Sequence, residues 1–353
     1  MVYIAALVAI AVLLSSAQAI IFPNPYPSAE GHNKTAAIAQ FPVFDYSTQG
    51  PDDPQHGPRK LTVSLFYPIE DTNCTAECVV PYMWDHAAKV SNAQFFGDKD
   101  AGVFEQFAFN TCCGSNATND AAKLPLVVLE PEVATSRHLY SAIAKNLAEN
   151  GVAVVTIDHP SDANALALDP FTAPQPSTDT AQRAIETRIQ DINLVLGQLA
   201  QQPVLDAAFP YLSFRTAFNT TSPGALAILG HGLGGTVATA LAASDPRYRF
   251  SINMDGPPPL LTRLTAAYTL FFGRETYRRD NDARWLAAWK MLTGKATEFD
   301  LQRGGHFDYS DLPVIATWQR PKYGEDKKVA RGLGGLGVKA VNITADFVVG
   351  YAR

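Results

Sequence analysis

The chain has 353 residues, 47% of them hydrophobic and 18% charged, which is enough apolar material for a substantial core and too little charge for a disordered chain. Its net charge of −6, from 28 Lys and Arg against 34 Asp and Glu, comes with no basic block and excludes the electrostatic footprint of nucleic-acid binding. The length fits one large α/β domain with excursions.

In chain order, Ile4 to Leu14 is an apolar run too short to span a bilayer, and Ala17-Gln18-Ala19 follows as a small-residue cleavage pattern. These features predict a signal peptide over residues 1–19, a secreted chain, and a single domain over 20–353 with no later membrane span. Secretion agrees with five Asn-x-Ser/Thr sequons, at Asn33, Asn73, Asn116, Asn219 and Asn342. It also agrees with four cysteines, Cys74, Cys78, Cys112 and Cys113, an even count that suits two disulfides. Three pairings exist. Bridging the adjacent Cys112 and Cys113 forces a strained ring, so Cys74 and Cys78 are each expected to reach one of that pair. The same adjacency, with no histidine nearby, argues against a zinc site.

Residues 20 to about 59 are rich in Pro, Gly and Asp and predict an extended, mostly irregular arm with room for one edge strand. Lys60 to Tyr67 alternates like a half-buried strand. Residues 70–122 form a Cys-containing insertion whose aromatics (Phe95, Phe96, Phe104, Phe107 and Phe109) make either a small core of their own or a lid over an apolar pocket. The rhythm then changes. Leu124–Leu129 and Val152–Ile157 are continuous apolar runs flanking a helical stretch, Ser136–Asn150, and strand-helix-strand with wholly apolar strands means a parallel sheet covered on both faces. A long helix is expected over about 178–202, with Ile185, Ile189, Ile192, Leu196 and Leu199 on one stripe. Strands follow at 225–229, 250–254, 268–272 and near Phe299. Helices are expected at 233–243, about 282–292 and from about Lys339 to the C-terminus.

The chemistry centres on Gly230-His231-Gly232-Leu233-Gly234-Gly235, between an apolar strand and a small-residue helix. With Ser in the middle, Gly-x-Ser-x-Gly at a strand-to-helix turn is a nucleophile elbow. Here the middle residue is Gly232, so the elbow lacks its nucleophile. Asp255, ending the strand in SINMDGPP, and His306, in RGGHFDYSD, follow in the chain order of a triad's acid and base and are predicted to survive as a dyad. Thr236 and Ser251 lie where neither can replace the nucleophile.

Taken together, GHGLGG, SINMDGPP, the GRE segment at Gly273–Glu275, GGHFDYSD and TSRHLYSAIAKNLAENGVAVVTIDHPSDA resemble the secreted fungal branch of the platelet-activating-factor acetylhydrolase family, over roughly Lys60 to Leu312. The resemblance implies an α/β-hydrolase fold with a mostly parallel central sheet and helices on both faces. It implies a metal-independent serine esterase acting on phospholipid acyl groups, needing no cofactor, with triad positions at Gly232, Asp255 and His306. The chain departs from the family again where the loop Ser-Pro-Gly-x-Gly becomes Glu130-Pro131-Glu132-Val133-Ala134. That loop supplies an oxyanion-hole amide in the family, and two carboxylates there would repel a developing oxyanion. Loss of the nucleophile alone costs about 10⁶ in turnover, so ordinary esterase activity is not expected. Three readings are compatible with the residues. In the first, His306, oriented by Asp255 and assisted by Glu130 or Glu132, moves protons on an apolar substrate without a covalent intermediate. In the second, an inactive pocket binds a lipid or other apolar small molecule. In the third, residual esterase activity runs through water.

Overall fold

Runs of residues that are apolar on one face or on both sort the chain into one large sheet and two small ones. The computed structural model describes residues 19–22, 33–49, 58–160, 178–275, 277–319, 333 and 336. The expected signal peptide (all but its last residue), the sequon at Asn342 and the C-terminal helix expected from Lys339 lie outside the described residues. In chain order the strands are β1 (Ile20–Ile21), β2 (Lys34–Gln49), β3 (Pro58–Glu70), β4 (Cys74–Pro81), β5 (Phe107–Ser115), β6 (Thr118–Asp120), β7 (Leu126–Glu130), β8 (Ala153–Asp158), β9 (Ser213–Thr216), β10 (Leu226–His231), β11 (Tyr248–Met254), β12 (Tyr268–Arg274) and β13 (Ala296–Leu301). The helices include α1 (Asp85–Phe96), α2 (Ser141–Glu149), α3 (Thr178–Leu199), α4 (Gln202–Ala208), α5 (Leu233–Ser244) and α6 (Ala283–Trp289), and residues 312–319 are helical too.

The large sheet has the order β13-β12-β11-β10-β7-β8-β3-β2. Pairing is parallel from β13 through β8, and β3 and β2 continue it antiparallel. The arm before residue 60 is therefore more regular than its composition suggests: β2 is a long edge strand. It tolerates Pro42 because an edge strand has a row of N–H groups with no ladder to serve. Helix formation over 178–202 is interrupted near Pro203, which starts α4 at its first turn.

Strand parity decides what each face meets. In β7, Val127 and Leu129 join one core with α2 and the aromatic insertion, while Leu126 and Val128 join the other, with α3, α4 and α5. Strands apolar on both faces are what a sheet covered twice requires. The insertion has no core of its own. All five phenylalanines named above are buried in the first cluster together with sheet residues, and Phe95 meets Phe307 edge-on with ring centroids 5.5 Å apart. Their rings point inward, so the lid reading has no support from them. Disulfides Cys74–Cys112 and Cys78–Cys113 tie β4 to β5, in agreement with the expectation that each of the first two cysteines reaches one of the second two.

Asp311 fastens the segment after His306 to the rest of the domain. Its Oδ2 accepts the Ala142 N–H at 2.9 Å, at the start of α2, and the Tyr82 hydroxyl at 3.0 Å. Burial pushes its carboxyl up to about 8, against the pull of these donors. Asp311→Ala strands a helix-terminal amide and a buried hydroxyl, and is expected to cost about 2 kcal/mol in urea denaturation.

Candidate active site

Parallel strands deliver their C-terminal ends to one edge of the sheet, where ligand sites of such folds gather. β10 ends at His231 and turns into α5 through Gly232, whose φ of +54° and ψ of −119° lie where a side chain is strained. The turn is pinned by Gly232 N–H donating to the Met254 carbonyl at 2.9 Å and by Thr236 N–H donating to the Gly232 carbonyl at 3.1 Å. It is also packed backbone to backbone: a Cβ on Gly230 would lie 2.0 Å from the Gly234 carbonyl oxygen. A strained, tightly packed strand-to-helix turn is thus formed around a glycine.

β11 delivers Asp255, also at positive φ (+55°), and the loop after β13 delivers His306. Asp255 Oδ2 accepts His306 Nδ1–H at 2.6 Å and lies 2.6 Å from Arg274 Nε at the end of β12. On the other side of the ring, His306 Nε2–H donates to Glu132 Oε2 at 2.9 Å. Glu132 stands in the loop after β7, and its carboxylate reaches the elbow itself. A Cβ built on Gly232 would fall 1.2 Å from Glu132 Oε2, so the carboxylate fills the room that a side chain at 232 would take. Leu233 N–H reaches both Glu132 oxygens at 3.3 Å, and Val133 N–H donates to Oε1. The amide after the elbow residue and an amide of the facing loop are the two donors of an oxyanion hole in this kind of site. Here both serve a carboxylate of the same chain.

A family model described as platelet-activating factor acetylhydrolase, isoform II, matches residues 53–185. A probable 1-alkyl-2-acetylglycerophosphocholine esterase from Arthroderma benhamiae (strain ATCC MYA-4681 / CBS 112371) is 24% identical over 342 residues, covering 88% of this chain and 81% of its own. Among solved structures, a ferulic acid esterase from Streptomyces cinnamoneus superposes with a TM-score of 0.63 at 22% identity, over 90% of this chain and 89% of that one. These matches support the platelet-activating-factor acetylhydrolase-like α/β-hydrolase family for this chain. The family match ends at residue 185 and so includes the Glu130–Glu132 loop, while Gly232, Asp255 and His306 lie beyond it.

Within this acetylhydrolase-like scaffold the two sequence-predicted carboxylates part company. Glu132 is at the site. Glu130 is not: it is the last residue of β7 and shares the parity of Leu126 and Val128, so it points under α3, where it is fully buried. There its Oε2 accepts from His159 Nε2 at 2.9 Å and lies 3.5 Å from Arg188 Nη1. The expectation that either glutamate could assist His306 is corrected for Glu130 by this parity. Of the two carboxylates expected beside an oxyanion, Glu132 alone lies at the Leu233 and Val133 amides.

Charge follows from contact. Desolvation lowers the affinity of His306 for a proton, but hydrogen bonds and attraction from Asp255 and Glu132 outweigh it and raise the imidazole to about 9. At neutral pH the ring is therefore an imidazolium donating through both nitrogens. Behind it His231, fully buried, is held neutral, first by desolvation and then by the charge of His306. Its Nδ1 pairs with the Tyr140 hydroxyl at 2.8 Å, which also accepts Glu132 N–H at 3.1 Å. Glu132, His231 and His306 offer ligand atoms within 4.8 Å of one another, but a ligating histidine must give up its proton, and His306 holds both against two carboxylates. Sequence reading missed Arg274, Tyr140 and His231 as site neighbours. Arg274 had a signal, since it ends the strand that pairs with the one delivering Asp255.

Proposed function

We propose that this chain has exchanged the serine-based acyl transfer of its family for non-covalent acid–base chemistry on an apolar substrate, with Glu132 as base, His306 as acid and Asp255 orienting the imidazole. One observation carries the reading: the Glu132 carboxylate lies 2.9 Å from His306 Nε2, in the volume of a side chain at position 232. A proton taken by Glu132 and one given by His306 reset through that same hydrogen bond, so a turnover leaves the centre as it began. A positioned general acid and a positioned general base contribute about 10² to 10⁴ each. Asp255 keeps its place because an imidazole that must present Nε2 needs Nδ1 held. Support for an apolar substrate comes from the lipid ester named in the curated relative's description, and from Leu260 and Leu264, 86% and 65% exposed on the segment leaving Asp255.

We also propose that it acts outside the cytoplasm as a glycoprotein after loss of residues 1–19. Two disulfides and the exposed sequon residues Asn33, Asn116 and Asn219 support this. Among the described residues no helix is long and apolar enough to cross a membrane.

The test uses a panel of compounds in place of a single substrate. Apolar ketones, enones and lactones are incubated with enzyme in D₂O and followed by mass spectrometry. Wild type is expected to exchange deuterium into at least one of them, and Glu132→Gln and His306→Ala to lose at least about 10² of that rate. Equal exchange by the variants, or none by wild type while a lipid stays bound, would replace this reading with ligand binding as the function.

A further inference from the structure

A second carboxylate–imidazole–carboxylate array lies directly behind the first. Glu130 Oε2 accepts from His159 Nε2 at 2.9 Å, and His159 Nδ1 meets Asp191 Oδ2 at 2.8 Å. Asp191 in turn accepts from Arg59 Nε and Nη2 at 3.0 and 2.7 Å. Glu130, His159 and Arg188 side chains are wholly out of solvent, so this array meets no substrate. Along the chain, Pro131 alone separates Glu130 of this array from Glu132 of the site. Glu130 ends β7, Glu132 carries the carboxylate at His306, and between them the Pro131 carbonyl accepts Arg188 Nη1–H at 2.6 Å.

Proline supplies no amide to anchor that loop, so its carbonyl and its two neighbours must fix it. Glu132 is fixed from the front by Tyr140, through its N–H. Behind it the fixings are Arg188 on Pro131 and His159 on Glu130, both attached to rigid elements, α3 and the end of β8. A site whose reacting groups must hold their geometry to about 0.5 Å depends on such support.

We propose that the buried Glu130–His159–Asp191 array, with Arg188 clamping the Pro131 carbonyl, is the positioning element that keeps the Glu132 carboxylate on His306. The inference rests on the acid–base reading above. It makes Arg188 and Glu130 positioning residues, acting only through Glu132.

The test reads His306 directly, by NMR titration of its ring nitrogens in protein labelled with ¹⁵N-histidine, alongside near-ultraviolet circular dichroism to certify the fold. Among the described residues, the charged or titratable groups facing that ring are Asp255, Glu132, Arg274 and His231. Glu132→Gln sets the reference and is expected to lower the His306 midpoint from about 9 by a unit or more. Arg188→Met is expected to lower it by a similar amount. The sign is decisive: removing a nearby positive charge would by itself raise the midpoint, and only loss of the Glu132 contact lowers it. Should Arg188→Met fail to fold, Arg188→Lys retains the buried charge but is too short to span Pro131 and Glu130, and the same fall is expected. A His306 midpoint unchanged or raised in a folded Arg188 variant, with Glu132→Gln lowering it, overturns the positioning role and leaves the acid–base centre standing. A midpoint that Glu132→Gln does not move overturns both.

Discussion

Gly232→Ser alone is expected to leave the protein silent to a fluorophosphonate probe, whereas Gly232→Ser combined with Glu132→Gly is expected to react with the probe and to hydrolyse short-chain esters. The reason is occupancy. A Cβ at 232 falls on Glu132 Oε2, and the Leu233 and Val133 amides that would receive an oxyanion already donate to the same carboxylate. A new hydroxyl therefore meets an anion where the substrate carbonyl should lie. Removing Glu132 frees both amides and returns His306 Nε2 to act as a base. Asp255 still holds the other ring nitrogen. The turn conformation is already that of an elbow, so the added hydroxyl needs no rearrangement of the backbone. Nucleophile loss is worth about 10⁶ and one oxyanion donor about 10² to 10³ in turnover. On that scale the double variant should be labelled at least about 10³ faster than either wild type or the single variant. Equal labelling of single and double variants would mean that Glu132 does not block the site.

Folding stability is expected to fall steadily as pH rises from about 6 to 9. His159 loses proton affinity to desolvation but regains more from Glu130 and Asp191, and stands at about 9. With its folded pKa above the unfolded 6.5, its contribution is fully present below pH 6.5 and is lost as pH rises through 9. His306, at about 9 for the causes given above, acts in the same direction. Its contribution is smaller, because the side chain is 32% exposed and solvent screens it. Asp311, pushed up to about 8 by burial, adds to the trend: the folded state keeps a proton that the unfolded chain releases near 3.8, so stability declines between those values. Each proton held only by the folded state contributes a slope of about 1.4 kcal/mol per pH unit. Below about pH 4 the trend reverses. Asp191, desolvated but more strongly held by His159 and Arg59, has its carboxyl below the usual range and loses its pairing on protonation. Urea denaturation across pH 4 to 10 measures the slope, and Asp311→Asn should flatten its acidic half. A stability maximum above pH 8 would contradict these assignments.

The elements that place the site were legible because their signals are local. Leu126 to Leu129, Val154 and Val155, and Ile228 and Leu229 are apolar on both faces, which only a doubly covered parallel sheet accommodates. The Gly-rich turn at 230–235 is steric in origin: backbone atoms approach so closely there that Cβ atoms would overlap them. Asp255 and His306 could be paired from their order along the chain, because strand order and right-handed crossovers bring successive strand ends together. Side-chain direction at the loop after β7 was not legible. Glu130 and Glu132 are two residues apart and chemically identical, and one lies under α3 while the other lies on the elbow. Parity extended by two from Leu126 and Val128 gives Glu130, but Pro131 ends the strand and with it the rule that would place Glu132.

Residue order alone was enough to give a doubly covered parallel sheet, a glycine-rich strand-to-helix turn at 230–235, and an aspartate and a histidine downstream of it, since periodicity, turn chemistry and order are properties of short segments. Packing in three dimensions is what brings Glu132 into the volume beside Gly232 and onto the Leu233 and Val133 amides, with Glu130, His159, Asp191 and Arg188 behind it. Those contacts join residues up to 174 positions apart, and which of two neighbouring carboxylates meets an imidazole depends on the packing of strands, helix and loop around it, which no local pattern encodes.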